Sequence, residues 1–285
     1  MYGQVRQATQ AGGQVKRCCQ WVEVHRAGYY RSLAPVVPDQ QELELRNLIQ
    51  EIAVQWPAYG YRRVARELWD KYGCRVNRKR VLRIMQADNL LCLRRKAFWL
   101  PTTNSAHRWP VFANVAAEMK GRLTGTNQLW VADITYIRLE TEFVYLAVVL
   151  DAYSRRVVGW ALGRTLEAEL ALTALRMAVA QRRPDPGLVH HSDRGVQYAC
   201  AEYRELLNQH QIRGSMSRAG NPYDNAFAES FIKTLKYEEV YRNHYRDMAE
   251  AQAAIAEFID EVYNQKRLHS ALGYRSPVEF ERATA

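Results

Sequence analysis

The stretch that decides the fold runs from His190 to Lys236: HHSDRGVQYACAEYRELLNQHQIRGSMSRAGNPYDNAFAESFIKTLK. It opens on the end of a short apolar run, PGLVHHSD, which reads as a strand closing on Asp193. A helix through Tyr203 and Leu207 follows, then a second short strand in RGSMSR. NPYDNAFAESFIKTLKYEEV starts another helix near Asp224, a residue type suited to cap it. That helix carries Glu229. At about 100° per residue, Lys233 and Lys236 share the face of Glu229, while Phe227, Phe231 and Leu235 fall on the opposite, core-facing side. One carboxylate thus ends a strand, and a second stands with two lysines away from a helix's packing surface.

Upstream, LWVADITYI (129–137) is apolar on both parities, as a central strand must be, yet it holds Asp133. An ionised carboxylate is costly there unless something binds it. FVYLAVVLDAYSRRVVGWAL (143–162) reads as a hairpin turning at Asp151–Arg155. LEAELALTALRMAVAQR (166–182) is a helix with Leu170, Ala174, Met177 and Ala178 on one face. The order of elements predicts a mixed sheet with helices on its faces, an α/β fold. Downstream, DMAEAQAAIAEFIDEVYN (247–264) is a further amphipathic helix, and SPVE is a capping box built on Ser276, Pro277 and Glu279.

On the N-terminal side, residues 1–37 give weaker signals, with CCQWVEVHRAGYYRS reading as a helix end and a turn at Gly28. From Gln41 the pattern sharpens: Leu45, Leu48, Ile49 and Ile52 mark one helix face, and WPAYG breaks it. A second helix spans Tyr61 to Lys71 and ends at Gly73; Asn77 then caps a third from Arg78 to Asp88. On this third helix Lys79, Arg83 and Gln86 share one face, and Val81, Ile84 and Met85 the other. A helix with a basic front and an apolar back, following a tight turn, is the physical form of a helix-turn-helix. FWLPTTNSAHRWP (98–110) reads as a connection whose Trp99 and Trp109 anchor it on a domain or stack on unpaired bases. The expected segments are a helical start (1–37), a helix-turn-helix domain (38–97), a linker (98–126), an α/β core (127–240) and a C-terminal helix and tail packed on that core (241–285).

The net charge of +10 is concentrated: Tyr61–Lys96 holds twelve Arg and Lys against Glu67, Asp70 and Asp88. Such an excess favours a polyanion, most simply nucleic acid. No apolar run approaches the ~18 residues of a membrane span, and MYGQVRQATQ lacks a secretory signal's apolar stretch, so a cytoplasmic protein is expected. Five cysteines without a CxxC fit a reducing compartment better than a disulfide framework or a zinc site.

Asp133, Asp193 and Glu229, on two strands and one helix, can meet at one edge of the sheet. There they suit hard divalent cations such as Mg²⁺ or Mn²⁺, which prefer oxygen ligands. Two such ions roughly 4 Å apart activate an attacking oxygen and stabilise a leaving one in phosphodiester chemistry. Lys236 then lies within a turn or two, placed to hold a phosphate. Other groups read more simply: Asp151 as a hairpin turn residue, Asp224 as a cap. His191 either packs or faces the site, Tyr223 and Asn225 are open to DNA beside Glu229, and Arg267 and His269 either touch DNA or pack on the core. HQIR (210–213) offers the H-x-x-R of a tyrosine recombinase, but it spans a helix end and the next strand.

WVADITYI, HHSDRGVQY, NPYDNAFAESFIKTLK and YNQKRLHSALGYRSPVEF together resemble the DDE-type transposases of bacterial insertion sequences, the two-reading-frame group related to retroviral integrases. Thirty-five residues separate Asp193 from Glu229, the family's D,D(35)E spacing, and Lys236 follows Glu229 by seven, again as in the family. The resemblance runs from about residue 40 to the end, including YGYRRVARELWDKYG and NRKRVLRIM. It implies a ribonuclease-H-like core in which Asp133, Asp193 and Glu229 bind two Mg²⁺ ions, for which Mn²⁺ can substitute. It also implies hydrolytic cleavage at transposon ends, freeing a 3′-hydroxyl that attacks a second phosphodiester without a covalent enzyme intermediate. The partners implied are double-stranded DNA, further copies of the chain on that DNA, and a helix-turn-helix and leucine-zipper product of a preceding reading frame; this chain shows no heptad run of its own. The rival readings are a stand-alone structure-specific nuclease and a regulator whose α/β domain is inert.

Overall fold

The computed structural model describes residues 1–33, 40–92, 111–119, 121–218 and 222–284, without the side chains of Pro222 and Tyr223. The stretch FWLPTTNSAHRWP (98–110) of the expected linker, with Trp99 and Trp109, lies outside the described residues. The chain divides into two compact units, Met1–Glu51 and Ile52–Ala285.

The first unit holds α1 (Tyr2–Gln10), α2 (Val15–Trp21), α3 (Arg26–Leu33) and most of α4 (Gln40–Gln55). Val5, Cys18, Cys19 and Tyr29 form its small core. Gly28, expected in a turn, lies inside α3: a Cβ there would come within 2.3 Å of the Tyr2 hydroxyl. The glycine leaves room for the Tyr2 side chain, a requirement that leaves no local signal distinct from a turn.

In the second unit α5 (Tyr61–Tyr72) closes on Gly73, whose φ of 64° is the left-handed C-terminal cap expected of glycine. Asn77 caps α6 (Arg78–Ala87), its side chain accepting the Lys79 N–H at 2.8 Å. Val64 and Leu68 of α5 and Val81, Ile84 and Met85 of α6 are buried. The basic face of α6 is left exposed.

After the short α7 (Ala116–Met119) come β1 (Leu129–Arg138), β2 (Phe143–Asp151), β3 (Val157–Gly163), α8 (Ala168–Arg182), β4 (Val189–Ser192), α9 (Val196–Ala199), α10 (Ala201–Gln209) and β5 (Arg213–Met216). The sheet order is β3-β2-β1-β4-β5, with β2 antiparallel to β1 and β3, and β4 parallel to β1 and β5. This is the mixed sheet that the order of elements predicts, in the ribonuclease-H-like form that the resemblance implies. The two-residue period of β1 divides the core. Trp130, Ala132 and Ile134 pack with α8, α9 and α10; Leu129, Val131 and Ile137 pack with α11 (Ala226–Leu235) and α12 (Met248–Glu257). At Gly159 of β3 the backbone of α8 comes so near that a Cβ would lie 2.2 Å from the Ala174 carbonyl oxygen.

Asp224 does not cap α11. One 3₁₀ turn, Pro222–Asn225, precedes that helix, and the Asp224 carboxylate accepts Asn114 Nδ2 at 2.8 Å and Arg218 N at 2.9 Å instead. Asn114 lies 110 residues away, so nothing beside Asp224 announces that partner. Both long helices of the second face widen into π-helix, over Lys236–Val240 after α11 and Phe258–Lys266 after α12. In α13 (Pro277–Thr284) the expected capping box forms: Ser276 N donates to Glu279 Oε2 at 2.9 Å, and Glu279 N to Ser276 Oγ at 3.3 Å.

Candidate active site

The three carboxylates come from the elements that the sequence predicts. Asp133 is the fifth residue of β1, Asp193 directly follows β4, and Glu229 lies in the first turn of α11. Period two turns Asp133 to the same sheet face as Leu129 and Val131, the face on which α11 packs. β1 and β4 run parallel side by side only from Leu129↔Val189 to Val131↔His191. Beyond that point they part, and Asp193 sits at the fork. Its Oδ1 accepts the Gly195 N–H at 2.9 Å, and a Cβ at Gly195 would stand 3.0 Å from that oxygen. A side chain at 195 would crowd that carboxylate, a closeness the sequence reading missed.

The electrostatics tie the groups together. Burial pushes the Asp133 carboxyl up to about 8; the charge of Asp193 and, less strongly, Glu229 adds to this, while the Ile134 N–H and Lys236 oppose it. Asp133 Oδ1 accepts that N–H at 2.9 Å. Lys236, the first residue of the π segment, is half-buried with its ammonium 4.0 Å from the centre of the Tyr136 ring. Burial holds its pKa down, against the pull of Asp133. Lys233 and Glu229 are exposed. Asp133, half-buried in β1, thus feels both other acids and the lysine.

The arrangement stops short of a closed cage. Among the described residues no three His, Cys, Asp or Glu side chains stand close enough to hold a metal ion unaided. Three carboxylates repel one another, and a cation offsets that repulsion when it draws them together. The donor chemistry fits a hard divalent ion: all three side chains offer oxygen, and Asp133 feels the charge of both other acids. Histidine does not compete, because His191 is buried with Nδ1 2.9 Å from Ser215 Oγ and Nε2 3.0 Å from Ser217 Oγ.

The remaining candidates resolve as structure. Asp151 is a turn residue, accepting Tyr153 and Ser154 N–H groups at 2.9 Å and the Asn127 N–H at 2.6 Å. Arg267 and His269 pack on the core: Arg267 pairs with Glu238, and the His269 ring lies edge-on to Tyr263 at 4.8 Å. Asn225 is buried and donates to the Ala132 carbonyl at 2.9 Å, so its amide is not open to DNA.

Three stretches match family models: an integrase core domain over residues 124–222, an integrase core domain again over 210–277, and an HTH-like domain over 40–98. The chain is 39% identical over 266 residues to the insertion element IS600 uncharacterized 31 kDa protein of Shigella sonnei, covering 92% of this chain and 96% of that one. It is 34% identical over 277 residues to transposase InsF for insertion sequence IS3A of Escherichia coli K12, covering 95% of each. Among solved structures it is similar to a simian T-cell lymphotropic virus intasome in complex with PP2A regulatory subunit B56 gamma, at a TM-score of 0.47 and 18% identity over 75% of this chain and 73% of that one. It is also similar to the HTLV-2 integrase catalytic core domain in complex with magnesium, at 0.42 and 17% over 55% and 97%. With its mixed sheet, its integrase core and relatives matched almost end to end, the chain belongs to the insertion-sequence transposases and is an enzyme of DNA transposition.

Proposed function

We propose that the protein cuts DNA at transposon ends and transfers the freed 3′-hydroxyl to a second duplex, using Asp133, Asp193 and Glu229 to hold two Mg²⁺ ions. The observation that carries this reading is the convergence of the acid-bearing elements: Asp133 lies on the β1 face that α11 covers, Asp193 follows the strand paired beside β1, and Glu229 stands in the first turn of α11. When bound, the two ions supply activation of the attacking oxygen and stabilisation of the leaving one. The chain's own residues orient the reaction. Lys236, held on the Tyr136 ring, offers its ammonium to a phosphate beside the acids. The exposed Lys233 extends that positive edge along α11.

Recognition of the duplex falls to α6, whose exposed Lys79, Arg83 and Gln86 stand opposite its buried back. Two ends must be joined, so the active form is a homo-oligomer on DNA; a helix-turn-helix and zipper product of a preceding frame is a candidate partner. No described helix is long and apolar enough to cross a membrane. Mn²⁺ is expected to replace Mg²⁺.

The test is strand transfer with oligonucleotides carrying the element's ends. Wild type is expected to cleave and join with Mg²⁺, and Asp133→Asn, Asp193→Asn and Glu229→Gln to do neither while still binding DNA. Full activity in Asp133→Asn would sink the reading. Cutting of branched DNA without joining would point to a structure-specific nuclease instead.

A further inference from the structure

We infer that Asn225 is a positioning residue that sets the spacing of the three carboxylates by standing in for a missing rung of the sheet. The inference rests on the proposed roles of Asp133, Asp193 and Glu229.

The carbonyls of β1 alternate between its two neighbours. Leu129 O accepts the Ala152 N–H at 2.9 Å on the β2 side, and Gln128 O accepts the Val189 N–H at 3.0 Å on the β4 side. Even-numbered carbonyls of β1 therefore face β4. Parallel pairing ends at Val131↔His191, so Ala132 O is the first even carbonyl past the ladder, and the donor of a continued ladder would be the Asp193 N–H. β4 instead follows β5, with Ser217 N donating to Ser192 O at 2.9 Å, and Asp193 turns off at the fork. Ala132 O receives Asn225 Nδ2 at 2.9 Å in its place, and both residues are buried.

This one amide touches the point where all three acid-bearing elements meet. Ala132 precedes Asp133, the absent rung belongs to Asp193, and Asn225 is the residue on which α11 begins, one turn before Glu229. A buried carbonyl without a donor is costly, so the bond holds the helix start against the strand while leaving Asp193 free to turn. Asp224 next to it is fastened separately to Asn114 and Arg218, which fixes the turn that delivers Asn225.

Removing a side chain that orients metal ligands typically costs about 10–100-fold in metal affinity or activity. The experiment compares the full-length wild type with Asn225→Ala and with Asn225→Leu, which keeps the branched shape without the donor. Calorimetric titration with Mn²⁺ alone reads metal affinity, thermal unfolding reads the fold, and cleavage of end-bearing oligonucleotides reads function. The expected result is Mn²⁺ binding weakened about tenfold or more in both variants, cleavage lowered with it, and a melting temperature still that of a folded protein. Mn²⁺ affinity within twofold of wild type in either folded variant would overturn the inference. Failure of both variants to fold would also overturn it, because the amide would then specify the fold rather than the site. If wild type itself neither binds Mn²⁺ nor cuts DNA, the proposed function fails first, a result distinct from either.

Discussion

Arg267 grips Glu238 through two parallel hydrogen bonds, Nε to Oε2 at 2.7 Å and the terminal nitrogen to Oε1 at 2.6 Å, with both side chains almost wholly buried. Glu238 lies in the π segment that starts at Lys236, and the next residue of the tail, Leu268, is tied to the helix-turn-helix region. Its N–H donates to Tyr59 Oη at 3.0 Å, and its carbonyl accepts Arg63 Nε at 2.9 Å. Removing one partner of a buried pair leaves the other charge unpaired, at a cost of about 3–5 kcal/mol. Arg267→Leu is expected to lose about that much in chemical unfolding, and Arg267→Leu with Glu238→Gln to recover part of it. A single variant as stable as wild type would show that the pair contributes nothing.

Acid should weaken the fold from near neutrality. Burial holds the His190 imidazole down to about 3, and burial with the nearby Arg267, Arg63 and Arg155 charges holds His269 down to about 2. The folded-state values lie below the ordinary 6.5, so the unfolded chain takes up protons that the folded chain refuses. The stabilisation is complete above pH 6.5 and is lost as pH falls below it, at up to about 1.4 kcal/mol per pH unit for each histidine. Unfolding curves between pH 7 and 4 are expected to show this slope, and His190→Gln or His269→Gln to flatten it. An unchanged slope in both variants would contradict the assignment.

Two glycines should respond differently. Gly159→Ala drives a methyl against the α8 backbone at the Ala174 carbonyl, which cannot move as a side chain can. Overpacking of this kind costs about 1–3 kcal/mol or more, and the loss should be read in stability. Gly195→Ala presses instead on the ends of two side chains, Gln197 Oε1 at 2.9 Å and Asp193 Oδ1 at 3.0 Å. The expected outcome is a small change in melting temperature with a large fall in DNA cleavage. Equal losses of stability in the two variants would separate Gly195 from the site.

On α6, Lys79→Ala and Arg83→Ala are expected to weaken DNA binding without unfolding the chain, since Val81, Ile84 and Met85 supply the packing. If each side chain meets a phosphate, the slope of log affinity against log salt should fall by about one per substitution. Binding that is unchanged across a salt series in both variants would place the interface elsewhere.

Where the sequence carried a period, the fold could be read from it. β1, the hairpin and the basic helix α6 lie as expected because alternation and the 3.6-residue repeat are local signals. The misreadings share one cause: partners distant in sequence. Gly28 reads as a turn because nothing nearby announces Tyr2, and Asp224 reads as a cap because Asn114 is remote. The same holds for Asn225, which local sequence leaves open to DNA although its amide belongs to a β1 carbonyl. Arg267 and His269 were undecidable for this reason too. The three acids are proposed on their chemistry, Asp133 because a charge inside a core strand demands a purpose, and on the thirty-five residues between Asp193 and Glu229.

The most direct measurement is anomalous diffraction from crystals grown with Mn²⁺ and a transposon-end duplex. The expected map places the metal between oxygens of Asp133, Asp193 and Glu229, all at coordination distance. Metal bound at other side chains, or any one of the three turned away from it with DNA in place, would contradict the proposed site.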